Sequence, residues 1–319
     1  MTIQTRSDPD AASSTVLAHL SDPHLPLPAG VPVRAMLGKR LLGRLSWQLK
    51  RRHHHRLETL ARLVLDIQEH APDWIVVTGD LTNLGLDSEY RRARTWLNDL
   101  GTPERVTVIP GNHDALVSGA WEQGAAHWRP YWQGDDGDDV TKDGDVARAF
   151  PILRRRGPLA LIGVSTAVAT PIGLAVGQVG QAQIERLERL LRRARDEGLC
   201  RVLLIHHPPV EGTVGRRKRL RDGAALRAVL ESAGVELVLH GHSHRSHQQM
   251  LQTSAGPAPV IGVPSASSMH REPASYHLYC ITSHSGGWQI ALTARHLTAD
   301  QRMETGRHAT LAIERAHAR

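Results

Sequence analysis

The sequence predicts an α/β protein, because short apolar runs suited to buried strands alternate with segments whose apolar residues recur every three or four positions. Beyond Gly256 the strand-like runs follow one another with no helical segment between them, as in a β meander completing a second sheet. Polar clusters sit where the apolar runs stop.

The first strand is Thr15 to Leu20, which ends at Ser21-Asp22-Pro23-His24. Leu57, Leu60, Ala61, Val64 and Leu65 then recur at helical spacing until Ala71-Pro72-Asp73 breaks the pattern, and Trp74 to Thr78 follows as a strand. Ala93, Trp96, Leu97 and Leu100 mark a second helix closed by Gly101, before a strand at Val106 to Ile109. The alternation returns twice. Ile184, Leu187, Leu191 and Ala194 precede Val202 to Ile205, and Leu226, Val229 and Leu230 precede Val235 to Leu239. The meander strands fall at 260–263, 275–282 and 288–293. No repeat or linker divides the chain, so one domain is expected over 15–295, with tails at 1–14 and 296–319 and an insertion near 118–150. Within that insertion, Gly134 to Asp139 lacks the Glu that closes a calcium loop and reads as solvated chain.

With 319 residues, 40% hydrophobic and 22% charged, the chain is long enough for a core and too ordinary for a disordered or fibrous protein. No apolar run approaches the ~20 residues of a membrane span, and Met1 to Ser14 carries Asp8 and Asp10 without an apolar stretch, so no export signal is expected. Cys200 and Cys280 have neither disulfide nor metal spacing. A cytoplasmic location follows as the expectation. The net charge is +7, yet the eight cations from Arg34 to Arg56 have no acid among them and leave the remainder at −1. Basicity is therefore one local patch, which argues against a nucleic-acid partner, as does the presence of one Phe and four Tyr for base stacking.

Five clusters end the strands: Asp22-Pro23-His24, Gly79 to Asn83, Gly111-Asn112-His113-Asp114, His206-His207-Pro208-Pro209 and Gly241-His242-Ser243-His244. Ligands of α/β sheets bind outside the carboxyl ends of strands, so five such loops can converge on one site. Each cluster alone is a common turn; the five together carry the signal.

Their order resembles the calcineurin-like metallophosphoesterases, the group that includes purple acid phosphatases and class III cyclic-nucleotide phosphodiesterases, over residues 15–244. The resemblance implies a four-layer αββα sandwich of two mixed sheets with a dinuclear metal site on its loops. It implies that Asp22, His24, Asp80 and His244 hold one metal and Asp80, Asn112, His206 and His242 the other, with Asp80 bridging. No ligand position departs from the pattern.

Phosphoester hydrolysis needs an oxygen nucleophile ionised near neutral pH and counter-charge for the phosphoryl oxygens, and two metals ~3.5–4 Å apart supply both through a bridging hydroxide. A shell of imidazole, carboxylate and amide oxygen suits divalent or mixed-valence Mn, Fe, Zn or Co better than Ca or Mg. His113 is not needed as a ligand; its family counterpart contacts substrate, and it would steady phosphoryl oxygens or protonate the leaving group, with Asp114 fixing its ring. His207 points away from His206 in an extended segment and is expected outside the metal shell.

On a helical wheel Leu37, Leu41, Leu42, Leu45 and Leu49 oppose Lys39, Arg40, Arg44, Lys50 and Arg51, so residues 31–56 read as a basic amphipathic insertion. Two readings stay open: leucines packed on the core with arginines in water, or a surface helix peripheral at the inner face of an anionic membrane. Arg216 to Arg221 form a second basic cluster that either reaches the same mouth or is solvated. The insertion tilts the substrate towards an amphiphilic or lipid-linked phosphodiester or pyrophosphate. The alternatives are a cytosolic 3′,5′-cyclic-nucleotide phosphodiesterase and an inert scaffold, the latter disfavoured by the complete ligand set. Oligomeric state is not legible.

Overall fold

The structure, a computed structural model, describes residues 14–28, 31, 38–47, 55–135 and 149–314. The N-terminal tail, the cations Arg34, Lys50, Arg51 and Arg52, the residues Met36, Leu37 and Leu49, and most of the acid-rich stretch lie outside the described residues.

Two six-stranded mixed sheets are present among the described residues. The first takes β1 (Ser14–Leu20), β2 (Trp74–Val77), β3 (Val106–Val108), β10 (Ser275–His284), β11 (Gly287–Leu297) and β12 (Met303–Glu314), in the order β12-β11-β10-β1-β2-β3. Strands β1 to β3 are parallel, and β10 joins β1 antiparallel with His19 opposite His277. The second takes β4 (Ile152–Arg156), β5 (Leu159–Gly163), β6 (Cys200–Ile205), β7 (Leu237–His240), β8 (His247–Thr253) and β9 (Gly256–Gly262), in the order β4-β5-β6-β7-β9-β8. Its four central strands are parallel, and β4 and β8 are antiparallel edges.

The strands are thus shared out differently from the sequence expectation. Parallel strands occur in both sheets, and the expected meander divides between them: its first strand, at 260–263, is β9 of the second sheet, while those at 275–282 and 288–293 are β10 and β11, which extend the first sheet from β1. The expected tail beyond 295 contributes the end of β11 and the whole of β12, whose ladder runs from Gly287↔Glu314 to Leu297↔Met303. Its polar, small-residue sequence suits an edge strand with little to bury.

Period-two alternation explains the layers. In β5 and β6, Leu159, Leu161, Val202 and Leu204 enter the core between the sheets, while Ala160, Ile162, Leu203 and Ile205 face α6 (Gln181–Asp196) and α7 (Gly223–Ala233) on the outer side. Helices α2 (Leu57–His70) and α3 (Asp87–Leu100) cover the first sheet through Leu60, Leu63, Ile67, Ala93 and Leu97. Of the expected 118–150 insertion, residues 118–135 are instead a wall of this core. The short helices α4 (Ala120–Gly124) and α5 (Arg129–Trp132) and the 3-10 turn Ala125–Trp128 between them bury Trp121, Trp128, Tyr131 and Trp132, with the Trp128 ring 4.8 Å from that of Tyr90. Among the described residues no helix is long and apolar enough to cross a membrane.

One polar clamp joins α2 to the first sheet. The Asp66 carboxylate accepts hydrogen bonds from Arg295 Nη2 at 2.6 Å and Nε at 2.9 Å and from the Tyr276 hydroxyl at 2.6 Å. Burial alone would raise this carboxyl, but the Arg295 and Tyr276 bonds hold it below its ordinary value. A carboxyl depressed on folding stabilises the native state fully above its unfolded pKa of ~4 and loses that contribution as pH falls through the folded value. Asp66→Asn is therefore expected to cost about 1.5–3 kcal/mol at neutral pH and to flatten the acid limb of the stability curve. Urea unfolding from neutral to acid pH checks both.

Candidate metal centre

The five clusters leave the carboxyl ends of five parallel strands: Asp22 and His24 after β1, Asp80 after β2, Asn112 to Asp114 after β3, His206 and His207 after β6, and His242 and His244 after β7. Asp22, His24, Asp80, His242 and His244 have φ of 52, 39, 58, 65 and 53°, and they make up five of the seven non-glycine residues with positive φ among the described residues. That conformation costs a side-chain-bearing residue about 1–2 kcal/mol, so its concentration here marks loops bent to aim side chains inward. Gly111 and Gly241 permit the close approach. A Cβ on Gly111 would overlap the Asp80 carboxylate, and one on Gly241 would overlap Ser21 Oγ.

Two groups of donors result, and Asp80 belongs to both. In the first, His244 Nε2 lies 3.1 Å from Asp22 Oδ1 and 3.3 Å from His24 Nε2, which is 3.7 Å from Asp80 Oδ2. In the second, His206 Nε2 lies 3.4 Å from Asp80 Oδ2 and 3.2 Å from Asn112 Oδ1, with a His242 nitrogen within 4.8 Å of the Asp80 and His206 ligand atoms.

The outer hydrogen bonds set which nitrogen faces the centre. His206 Nδ1 donates to the Thr78 carbonyl at 2.7 Å, His24 Nδ1 to that of Thr82 at 3.3 Å, and His242 Nε2 to that of Lys218 at 3.0 Å. The other nitrogen of His24 and of His242, both neutral, keeps a lone pair, whereas that of His206 carries a proton at neutral pH unless a metal cation replaces it. His206 Nε2 faces the Asn112 amide oxygen, and the buried Asp22 Oδ1 faces His244 Nε2. Converging carboxylate oxygens and imidazole nitrogens of this kind repel one another unless protons or metal cations stand among them. The donor set fits transition-metal ions, and thiolates are absent from it.

The electrostatics agree. Burial would raise the Asp80 carboxyl, yet the imidazoles of His206, His113 and His24 hold it well below the carboxylate range. Burial opposes charge on His206, but the Asp80 and Asp22 carboxylates lift it to about 9. Burial keeps His24 and His242 well below the ordinary imidazole value and hence neutral.

His113 is half-buried, with its ring centroid 5.0 Å from that of His24. Its amide donates to Asp80 Oδ1 at 2.7 Å, and its Nδ1 donates to the Asn83 carbonyl at 2.8 Å. The expectation that Asp114 fixes this ring is therefore corrected: Asn83 does so. Asp114 instead accepts backbone N–H bonds from Gly111, Asp80 and Thr82, each at 2.9 Å, and the Thr82 hydroxyl at 2.9 Å, splinting the loops after β2 and β3. Burial and the Asp80 charge push its carboxyl up to about 7.

His207 stands apart from the ligand groups. Thr166 Oγ1 donates to its Nδ1 at 2.7 Å and its Nε2 donates to the Ala175 carbonyl at 3.2 Å, so both nitrogens strap the 166–175 segment. Burial, then His206, pushes it down to about 3.

One imidazole at the centre escaped the sequence reading. His55 is buried, with its ring centroid 4.7 Å from that of His24 and 5.8 Å from that of His244. Its place in a basic run gives no local signal, and only the chain path across Ser267 and Ser268 brings it in.

A model of the calcineurin-like phosphoesterase family matches residues 15–246. A probable cyclic nucleotide phosphodiesterase from Synechococcus sp. is 25% identical over 213 residues, which is 65% of this chain and 70% of that protein. The cAMP/cGMP dual specificity phosphodiesterase of Mycobacterium tuberculosis is 28% identical over 179 residues, 55% of this chain and 49% of that protein. Among solved structures, a dimetal phosphatase from Danio rerio superposes with a TM-score of 0.59 at 13% identity, covering 94% of this chain and 99% of that one. Similarity at that identity speaks to the fold alone.

Proposed function

The chain belongs to the calcineurin-like phosphoesterase family and is a metal-dependent phosphoester hydrolase; from that premise we propose that it cleaves a phosphodiester or pyrophosphate bond of an amphiphilic substrate at the cluster around Asp80. The observation that carries this reading is the position of the Asp80 carboxylate, 3.7 Å from His24 Nε2 and 3.4 Å from His206 Nε2, between two groups of inward-facing donors. In this reading Asp22, His24, Asp80 and His244 hold one ion of Mn, Fe, Zn or Co, and Asp80, Asn112, His206 and His242 hold the other. Such ions acidify a water and neutralise phosphoryl oxygens when bound. The rest falls to the chain's own groups. His113, with Nδ1–H anchored on Asn83, carries on Nε2 the proton for the leaving oxygen. The Lys218 and Thr78 carbonyls keep His242 and His206 turned inward.

Helix α1 (Lys39–Ser46) supports the amphiphilic substrate. Lys39 Nζ donates to the Thr170 carbonyl at 2.9 Å, and Arg40 donates to the carbonyls of Leu84 at 3.1 Å and Gly85 at 2.7 Å. These bonds seat the helix beside Asn83, the residue that orients His113. The orientation departs from the reading in which the leucines pack on the core and the cations face water: Lys39 and Arg40 turn inward to carbonyls, while Leu41, Leu42 and Leu45 are 47, 46 and 44% exposed. Three leucines exposed together next to the proposed acid suit an acyl chain or the inner face of an anionic membrane.

Wild-type protein is therefore expected to co-sediment with anionic vesicles at low salt. Changing Leu41, Leu42 and Leu45 to Ser should remove most of that binding while sparing hydrolysis of a small soluble diester. Indifference of the wild type to such vesicles would remove the support for an amphiphilic substrate. A cyclic-nucleotide reading is favoured by the similarity to the two cyclic-nucleotide phosphodiesterases. Steady-state turnover of 3′,5′-cyclic AMP against lipid phosphodiesters, with Mn added, decides between them: the faster class is the substrate.

A further inference from the structure

Resting on the two-ion reading above, we propose that His55 is a further ligand of the first ion, supplied from outside the five strand-end clusters. The ligand atoms of His24, His55 and His244 lie within 4.8 Å of one another, close enough for a single ion to engage all three. The rings meet edge to face, with interplanar angles of 63° between His24 and His55 and 88° between His55 and His244. Edge-on packing lets ring edges, and so nitrogens, converge, which face-to-face stacking would not.

The mounting of His55 matches that of the other imidazoles. Its Nδ1 is paired at 2.7 Å with Ser267 Oγ, a hydroxyl able to accept from it as the carbonyls of Thr78 and Thr82 accept from Nδ1 of His206 and His24. A ligating imidazole is commonly fixed in this way, by an oxygen on the nitrogen that faces away from the metal. The backbone is held as well. His55 forms an antiparallel bridge with Ser268, and the Arg56 amide donates to the Ser267 carbonyl at 3.1 Å. The same short segment serves Asp22, whose carbonyl accepts the Ser265 hydroxyl at 2.7 Å. Residues 265–268 thus mount two members of the first group at once, and a packing histidine would not require that coincidence.

The chemical consequence is selectivity. A third imidazole beside Asp22 and Asp80 moves the first site from the oxygen-rich shells that suit Mn towards the nitrogen-richer shells that suit Zn, Fe or Co. The second site, without such an addition, is unaffected.

The test titrates metal-free protein with Co²⁺, following heat and the visible absorption of the bound ion, for wild type, His55→Ala, His55→Gln and the exposed-surface control Leu65→Ala. Both His55 variants are expected to bind the first ion at least about 10-fold more weakly and to shift its absorption band, with the second ion unchanged. Ser267→Ala should give a smaller change of the same kind. Wild-type affinity and spectrum in both His55 variants would overturn the assignment, and so would equal weakening at both sites, the mark of a packing role. His55→Gln, similar in length, serves if the alanine variant does not fold. Failure of the two-ion reading is visible separately, as wild-type protein that takes up fewer than two ions.

Discussion

Asp80→Asn is expected to lower bound transition metal from about two ions per chain to one or fewer and to slow hydrolysis of an aryl phosphodiester by ~10³-fold or more. The size follows from position. Asp80 lies in both donor groups, and its other oxygen accepts the His113 amide at 2.7 Å, so one change removes the shared charge and loosens the acid. Asn is the informative replacement because it keeps the shape and tolerates the φ of 58° at this residue, whereas Ala adds backbone strain. Metal content of dialysed protein and turnover, measured on the same preparation, check the two effects together. Two retained ions with near-wild-type rate would remove Asp80 from the centre.

His113→Ala should behave in the opposite way with respect to metal. Its ring nitrogens belong to neither donor group, so both ions stay, while turnover falls by about 10²–10⁴, the range for a lost positioned proton donor. The loss should be large for alkyl leaving groups, which need a proton, and small for p-nitrophenolate, which does not. Equal losses for both would reduce His113 to steadying charge on the phosphoryl oxygens. Asn83 orients the ring through its main-chain oxygen, so substitution of the Asn83 side chain should matter much less than loss of the imidazole.

The contrast between what the sequence disclosed and what it concealed has a physical basis. The strand-end clusters were legible because a sharp exit from a buried strand places polar residues and glycines in a fixed order, which a single sequence records. The α/β alternation was legible for the same local reason, through long amphipathic segments such as 57–70 and 181–196. Pairing between distant strands has no such trace, and so three strands read as one meander divide between the two sheets. Residues 120–132 were unreadable because helices of four or five residues have no periodicity, although their tryptophans belong to the core. Strand β4 hid behind its arginines: Arg154 is buried and donates to the Val106 carbonyl at 2.8 Å, against the usual exposure of that residue type.

At the site, residue types were legible and orientations were not. Asp114 was paired with His113 by adjacency, yet four N–H and O–H donors from Gly111, Asp80 and Thr82 compete for its carboxylate and win. A helical wheel turns Lys39 and Arg40 to water because it contains no record of the carbonyls at Leu84, Gly85 and Thr170. His55 reaches the centre through contacts more than 200 positions away in sequence, with no motif of its own.

The central claim is that two metal ions share Asp80. Crystals grown with Mn²⁺ and measured at the manganese absorption edge test it most directly, since anomalous scattering locates each ion. Two peaks ~3.5–4 Å apart are expected, one beside Asp22, His24 and His244 and one beside Asn112, His206 and His242, with an Asp80 oxygen on each. A single peak at full occupancy, or a pair that does not touch Asp80, would contradict the account.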